Sequence, residues 1–214
     1  SLQGCRARGH DRQFARTRVF GGPVGGNRRA GNCDRRCCPR PGGRGRLRSF
    51  KQNPSLPREL FASTPADVVV IDTTNYYPQQ RDGHLDGIED GSTESEWVEQ
   101  HLGRPVIKAF NTIEATHFQP GAKSAGSADR IALAVAGDDV RTKAKAMALI
   151  DGIGFDAVDA GTIAESWRQQ PGSPGYLKDY DVKGVRRALA EANPERQPEW
   201  RATPNSPGTY DSPA

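Results

Sequence analysis

The chain has 214 residues, enough for one domain with a proper core plus tails. Hydrophobic residues make up only 35%, with 24 glycines, 16 prolines and a net charge of +4, an apolar content below the usual level for a globular domain. No apolar run approaches the roughly 18 residues of a membrane span, and residues 1–20 lack the apolar stretch of a secretory signal. The expectation is a cytoplasmic protein with no membrane partner.

These averages mix two unlike parts. Residues 1–51 hold 14 of the 30 Lys/Arg and two of the 26 Asp/Glu, so they carry about +12 and the remainder about −8. All four cysteines (Cys5, Cys33, Cys37, Cys38) lie in the first part. The rest has none, which argues against a disulfide framework.

From Asp67 the pattern becomes regular. Asp67–Asp72 is a β-branched run of the kind buried on both faces of a parallel sheet, and it ends in Thr73-Thr74-Asn75. The stretch 76–92 reads as loop. Thr93-Glu94-Ser95-Glu96 has capping-box form. It predicts a helix to about Leu102 with Trp97, Val98 and Leu102 on its apolar face, stopped by Gly103.

A second strand is predicted over Pro105–Phe110, ending in Asn111-Thr112, followed by a short helix over Ile113–Phe118 and a loop through Ser127. Ile131–Ala136 is the third strand. Asp138 is the predicted cap of the next helix, with Val140, Ala144, Met147 and Ile150 on one face and Gly152 as its stop. Phe155–Asp159 is a short fourth strand. Helices are expected around Thr162–Gln169 and over Val182–Ala192, and the tail from Pro194 to Ala214 is expected to be disordered.

Strands alternating with helices imply βαβ units. The fold class is therefore α/β, a Rossmann-like parallel sheet with flanking helices, incomplete at the N-terminus. Ligands of such sheets sit beyond the carboxyl ends of the strands. Thr73, Thr74, Asn75, Asn111 and Thr112 stand there. By spacing alone, helix capping and turn satisfaction is the favoured role for them.

Ile71-Asp-Thr-Thr-Asn-Tyr-Tyr-Pro78, Lys108-Ala-Phe-Asn-Thr-Ile113 and Val135-Ala-Gly-Asp-Asp139 occur in that order. With Gly154–Gly161 and Glu165–Pro171, they resemble the coenzyme F420-dependent NADP oxidoreductase family, in its bacterial NADPH-dependent F420 reductase branch. The resemblance covers about residues 50–192.

It implies a Rossmann domain that binds NADP(H) and moves a hydride between nicotinamide and a partner of the deazaflavin or flavin type, F420 in the name-giving members. Such catalysis is mostly positioning. On this resemblance Thr73, Thr74, Asn75, Asn111 and Thr112 become cofactor-binding residues. Trp167, Arg168 and Gln169 become walls of a second-substrate pocket, with a packing role for Trp167 and Arg168 competing on equal terms. No catalytic acid or base is singled out, and no metal is implied. The expected partners are a small-molecule redox partner and, as an open alternative, a second copy of the chain in a homodimer.

The first fifty residues do not fit this pattern. A dinucleotide domain opens with a strand and a Gly-x-Gly-x-x-Gly turn, and Gly21-Gly-Pro-Val-Gly-Gly26 has neither a strand before it nor a helical pattern after it. Three readings stand for residues 1–49. One is a disordered basic arm on a non-enzymatic α/β scaffold, binding nucleic acid through phosphate charge; the shortage of aromatics disfavours it. Another is a metal knuckle of Cys33, Cys37 and Cys38 with His10 or Cys5, disfavoured because Cys37 and Cys38 are adjacent. The preferred reading is that residues 12–48 are translated out of frame, since Arg8–Asp11 and Phe50–Pro57 resemble family text on either side of the missing strands. The chain also starts at Ser1 within what would be the first helix, so the first strand and glycine loop are expected to be absent in any frame.

Overall fold

A computed structural model describes residues 18–19, 59–62 and 64–203. Their elements run β1 (Arg18–Val19), α1 (Glu59–Ala62), β2 (Val70–Asp72), α2 (Asp86–Glu89), α3 (Glu94–Leu102), β3 (Ile107–Lys108), α4 (Ala115–Phe118), β4 (Ala132–Val135), α5 (Val140–Gly152), β5 (Asp156–Asp159) and α6 (Val182–Glu191). The result is an α/β architecture of short parallel strands with flanking helices. Among the described residues no helix is long and apolar enough to cross a membrane.

β2 and β3 pair in parallel, Ile71 opposite Ile107 and Asp72 opposite Lys108. β4 and β5 pair in parallel from Ala132–Asp156 to Val135–Asp159. Among the described residues a single bridge joins the two sheets, Lys108 N–H to Ala136 O at 2.9 Å and Ala136 N–H to Lys108 O at 3.0 Å. β1 adds an antiparallel pair to the outer side of β2. It lies in the Arg-rich stretch, and only two residues take part. The remaining proposals for residues 1–49 lie outside the described residues.

The predicted strands are all present and all shorter than expected. Every residue of β4 is buried, and the period of two sorts its side chains cleanly. Leu133 and Val135 join Ile71, Ile107, Ala146, Ile150 and Phe155 in the layer beneath α5. Ala132, Ala134 and Ala136 turn the other way and pack with Val158, Ala160 and Val185 beneath α6. Burial on both faces is why the strand text is continuously apolar rather than alternating. A third cluster, including Phe61, Val70, Tyr76, Trp97, Val98 and Leu102, closes the α3 side. Each large aliphatic or aromatic side chain among them contributes about 1.5–3 kcal/mol on leaving water.

Thr93 caps α3 as predicted: its hydroxyl accepts from Glu96 N–H at 3.1 Å, and the Glu96 carboxylate accepts from Thr93 N–H at 2.8 Å. Gly103 terminates the helix in the left-handed region at φ 67°.

Four local expectations change. Asp139, not Asp138, caps α5, accepting from Thr142 N–H at 2.8 Å; Asp138 instead accepts from Ile163 N–H at 2.8 Å. The buried face of α5 is Ala146 and Ile150, while Val140 is 75% exposed and Ala144 points outward. α5 runs through Gly152, and the chain reverses at Gly154, φ 104°, where a Cβ would sit 2.9 Å from Ala122 Cβ. The stretch 76–92 is not plain loop, since a π-helical turn (Pro78–Asp82) and α2 occupy it.

The tail also differs from expectation. Residues 194–203 form a short 3₁₀ turn at Pro198–Trp200 and pack against the body. The part of the tail beyond 203 lies outside the described residues.

Thr93→Ala removes the capping box and is expected to cost about 1 kcal/mol, read as a lower urea midpoint with an unchanged slope. Gly154→Ala combines a strained φ with backbone and Ala122 in its path, and is expected to cost at least about 1 kcal/mol by the same measurement.

Candidate functional site

The carboxyl ends of β2 and β3 lie side by side because Asp72 and Lys108 are register partners. The segments leaving the two strands therefore meet side by side, at the strand ends where open parallel sheets offer a crevice to ligands. After β2 come Thr73, Thr74 and Asn75. After β3, Phe110 adopts φ 64°, a left-handed conformation costly for a non-glycine residue. It precedes Asn111, which is buried.

The two asparagines clasp each other. Asn75 Nδ2 donates to Asn111 O at 3.1 Å, and Asn111 Nδ2 donates to Asn75 Oδ1 at 3.1 Å and to Gln169 O at 2.6 Å. Gln169, on the 3₁₀ helix Ile163–Gln169, donates through Nε2 to Lys108 O at 3.2 Å. Arg81 Nη2 donates to Asn75 O at 2.5 Å and is held by Asp82 at 2.9 Å. Two buried side-chain oxygens in this knot, Asn111 Oδ1 and Gln169 Oε1, have no hydrogen-bond partner among the described residues. Such an acceptor is costly to leave unmet in a protein interior.

Thus the structure brings Asn75, Asn111 and Gln169 together. Thr74 is buried beside them, its N–H and hydroxyl donating to Asp72 Oδ1 at 2.9 and 2.6 Å. Thr73 is half-buried and Thr112 buried. Trp167 stands apart from Gln169, walling a pocket of about 170 Å³ with Gln170, Ser173 and Arg196. Arg168 lies over the Trp167 ring at 4.9 Å, pairs with Glu165 at 3.5 Å and donates to Leu189 O at 3.2 Å, tying the 3₁₀ helix to α6.

Directly beneath the crevice is a group that sequence reasoning missed. Lys108 is 1% exposed, with Asp72 Oδ2 at 3.3 Å, Glu94 Oε2 at 3.6 Å and Thr74 O at 2.5 Å. Glu94 also pairs with Arg196 at 3.1 Å, and Ser95 Oγ donates to Asp72 Oδ2 at 2.7 Å. Two cations and two carboxylates thus balance inside the fold. Burial pushes the Glu94 carboxyl above the usual range, opposed by Lys108 and Arg196 and reinforced by Asp72.

Nearby phenols are also fixed. Tyr76, fully buried, donates to Gly83 O at 2.7 Å and accepts from Leu85 N–H at 3.2 Å. Tyr77 and Tyr176 share a hydroxyl–hydroxyl hydrogen bond. Burial raises the Tyr76 and Tyr176 phenols well above the ordinary tyrosine range, so neither supplies a phenolate near neutrality. Among the described residues no cluster of His, Cys, Asp and Glu could hold a metal ion.

No family model matches the chain. A segment of 64 residues is 48% identical to "Putative protein YjhV" of Escherichia coli (strain K12), covering 30% of this chain and 47% of that protein. The chain therefore spans about half the length of this curated relative. Among solved structures it is similar to the hypothetical protein SMa0349 from Sinorhizobium meliloti, with a TM-score of 0.50 and 24% identity over 62% of each chain. That similarity extends to the fold. A further structure, described as a "putative f420 dependent nadp-reductase" from Arthrobacter sp. FB24, aligns over 47% of this chain and 46% of its own, with a TM-score of 0.37 and 22% identity.

Lys108→Ala leaves Asp72 and Glu94 buried with one cation fewer, and is expected to cost about 3–5 kcal/mol in urea unfolding. Glu94 supplies a pH test. Its folded pKa is raised above the unfolded 4.5, so its contribution to stability is greatest below that value and erodes as pH rises through the raised one. Melting temperatures from pH 4 to 8 are expected to move in favour of Glu94→Gln relative to the parent as pH rises. A constant difference contradicts the assignment.

Proposed function

We propose that the crevice beyond β2 and β3 receives the nicotinamide end of NADP(H). The protein would then transfer a hydride between that ring and a deazaflavin- or flavin-type partner such as coenzyme F420. One observation carries this reading: the Asn75–Asn111–Gln169 knot sits at adjacent parallel strand ends with two buried amide oxygens unmet. A carboxamide NH₂ has the donors those acceptors lack. The motif order from Ile71 to Pro171 and the α/β fold support the same reading.

The residues present fit such a group. Asn111 Oδ1 and Gln169 Oε1 would accept from the carboxamide, and the Thr73–Asn75 loop would border the ring. Bound NADP(H) supplies the hydride. The chain's own contribution is to hold the ring in one orientation and to exclude water, which is where the gain lies when no strong acid or base is needed. The knot is already hydrogen-bonded within itself, so little of it needs ordering on binding. Trp167 would wall a pocket for the second partner together with Gln170, Ser173 and Arg196.

The test is a thermal shift and protein-fluorescence titration with NADPH, alongside NADH. Saturable stabilisation by NADPH is expected. Asn111→Ala is expected to weaken it by about three- to tenfold, the worth of one hydrogen bond to a neutral partner. No saturable response to either nucleotide at millimolar concentration would overturn the proposal.

A further inference from the structure

Arg196 lies in a stretch whose composition suggests no structure, yet it reaches the most buried charges of the fold. Its Nη2 meets Glu94 Oε1 at 3.1 Å and Gln170 Oε1 at 3.0 Å. Its Nη1 donates to Trp200 O at 3.3 Å, and its guanidinium lies 5.2 Å from the Tyr76 ring centroid. The segment around it is held at several further points. Trp200 packs between Tyr77 and Tyr176 at 6.0 and 6.2 Å. Gln79 donates to Pro198 O at 3.2 Å, and Ala202 N–H donates to Glu89 at 3.0 Å.

These contacts connect to the crevice through charge. Glu94 is shared between Arg196 and Lys108. Lys108 is in turn shared among Glu94, Asp72 and the Thr74 carbonyl. Asp72 accepts from Thr74 N–H and its hydroxyl. The backbone of Thr74, next to Asn75, is thereby gripped from both ends by groups whose charge balance Arg196 completes. Without Arg196, two buried carboxylates compete for one ammonium. A lysine drawn toward Glu94 leaves the Thr74 carbonyl.

We propose that Arg196 is a positioning residue for the crevice: docking of the 194–203 segment brings Arg196 to the buried Asp72–Lys108–Glu94 set, completes its charge balance and so fixes the Thr73–Asn75 loop. The effect on the loop stands on the geometry alone. Its consequence for nucleotide binding rests on the function proposed above.

The test uses the full chain and three variants: Arg196→Met, which keeps bulk and removes charge; Arg196→Lys, which restores charge; and Arg196→Met with Glu94→Gln, which restores neutrality without either ion. Hydrogen exchange of the Thr74 amide is read without ligand, and NADPH affinity is read separately. In Arg196→Met, Thr74 exchange is expected to rise about tenfold or more while amides of β4 stay protected. NADPH affinity is expected to fall about fivefold or more. Arg196→Lys and the double variant are expected to recover most of the Thr74 protection. A purely packing role for Arg196 predicts no recovery in the double variant.

Unchanged Thr74 exchange in Arg196→Met overturns the proposal. So does exchange that is fast in both Arg196→Met and the double variant. If Arg196→Met does not fold, the double variant decides: folding with Thr74 protected supports the charge argument, and failure to fold overturns it. If Thr74 responds as expected but the unaltered chain does not bind NADPH, the nucleotide reading falls and the positioning role stands.

Discussion

Lys108 is the constraint around which the rest is arranged. An ammonium group 1% exposed is tolerable only if its charge and its donors are met. Meeting them requires Asp72 from β2, Glu94 from the first turn of α3 and the Thr74 carbonyl in place together. The strand register, the start of α3 and the path of the chain after β2 are therefore one problem with one solution. Arg196 completes the balance from the far end of the chain.

The amide knot above this cluster follows from the same geometry. Because Asp72 faces Lys108 across the ladder, Asn75 and Asn111 emerge at matching distances from their strand ends and can bond reciprocally. Side chains of the same type at other offsets would have met solvent or capped a turn. Arg81 and Asp82, carried on the π-helical turn, hold the Asn75 backbone from the opposite side. Polar groups on four separate segments are thus committed to one small region at the switch from strand to loop, where open parallel sheets bind ligands.

Much of the fold was legible because its determinants are local. The runs ending at Asp72, Lys108, Val135 and Asp159 are β-branched or small and largely apolar, and Thr93 with Glu96 announces a helix start within four residues. The failures have equally specific causes. Asp138 and Asp139 are adjacent acids that no pattern separates; only the docking of Ile163 N–H assigns the first elsewhere. Val140 shares a helical stripe with Ile150, yet sits at the first turn of α5 and is exposed. Of the crevice, Asn75 and Asn111 were visible as strand-end polar residues. The charge set was not, since Asp72 and Lys108 are 36 residues apart and Glu94 and Arg196 are 102 apart. Glu94 reads as an ordinary first-turn acid and Arg196 as part of a polar tail. Only the folded chain buries Glu94 and sets the half-buried Arg196 against it.

Phe110 has a consequence of its own. Its left-handed backbone, with the ring lodged edge-on against Phe118 at 5.7 Å, sets the direction in which Asn111 leaves the strand. Hydrophobic packing on the far side of the residue supports that direction. The crevice is consequently shaped from behind. Changes in the aromatic stack of Phe110, Phe118 and Phe155 would retune its polar lining without altering a single group that lines it.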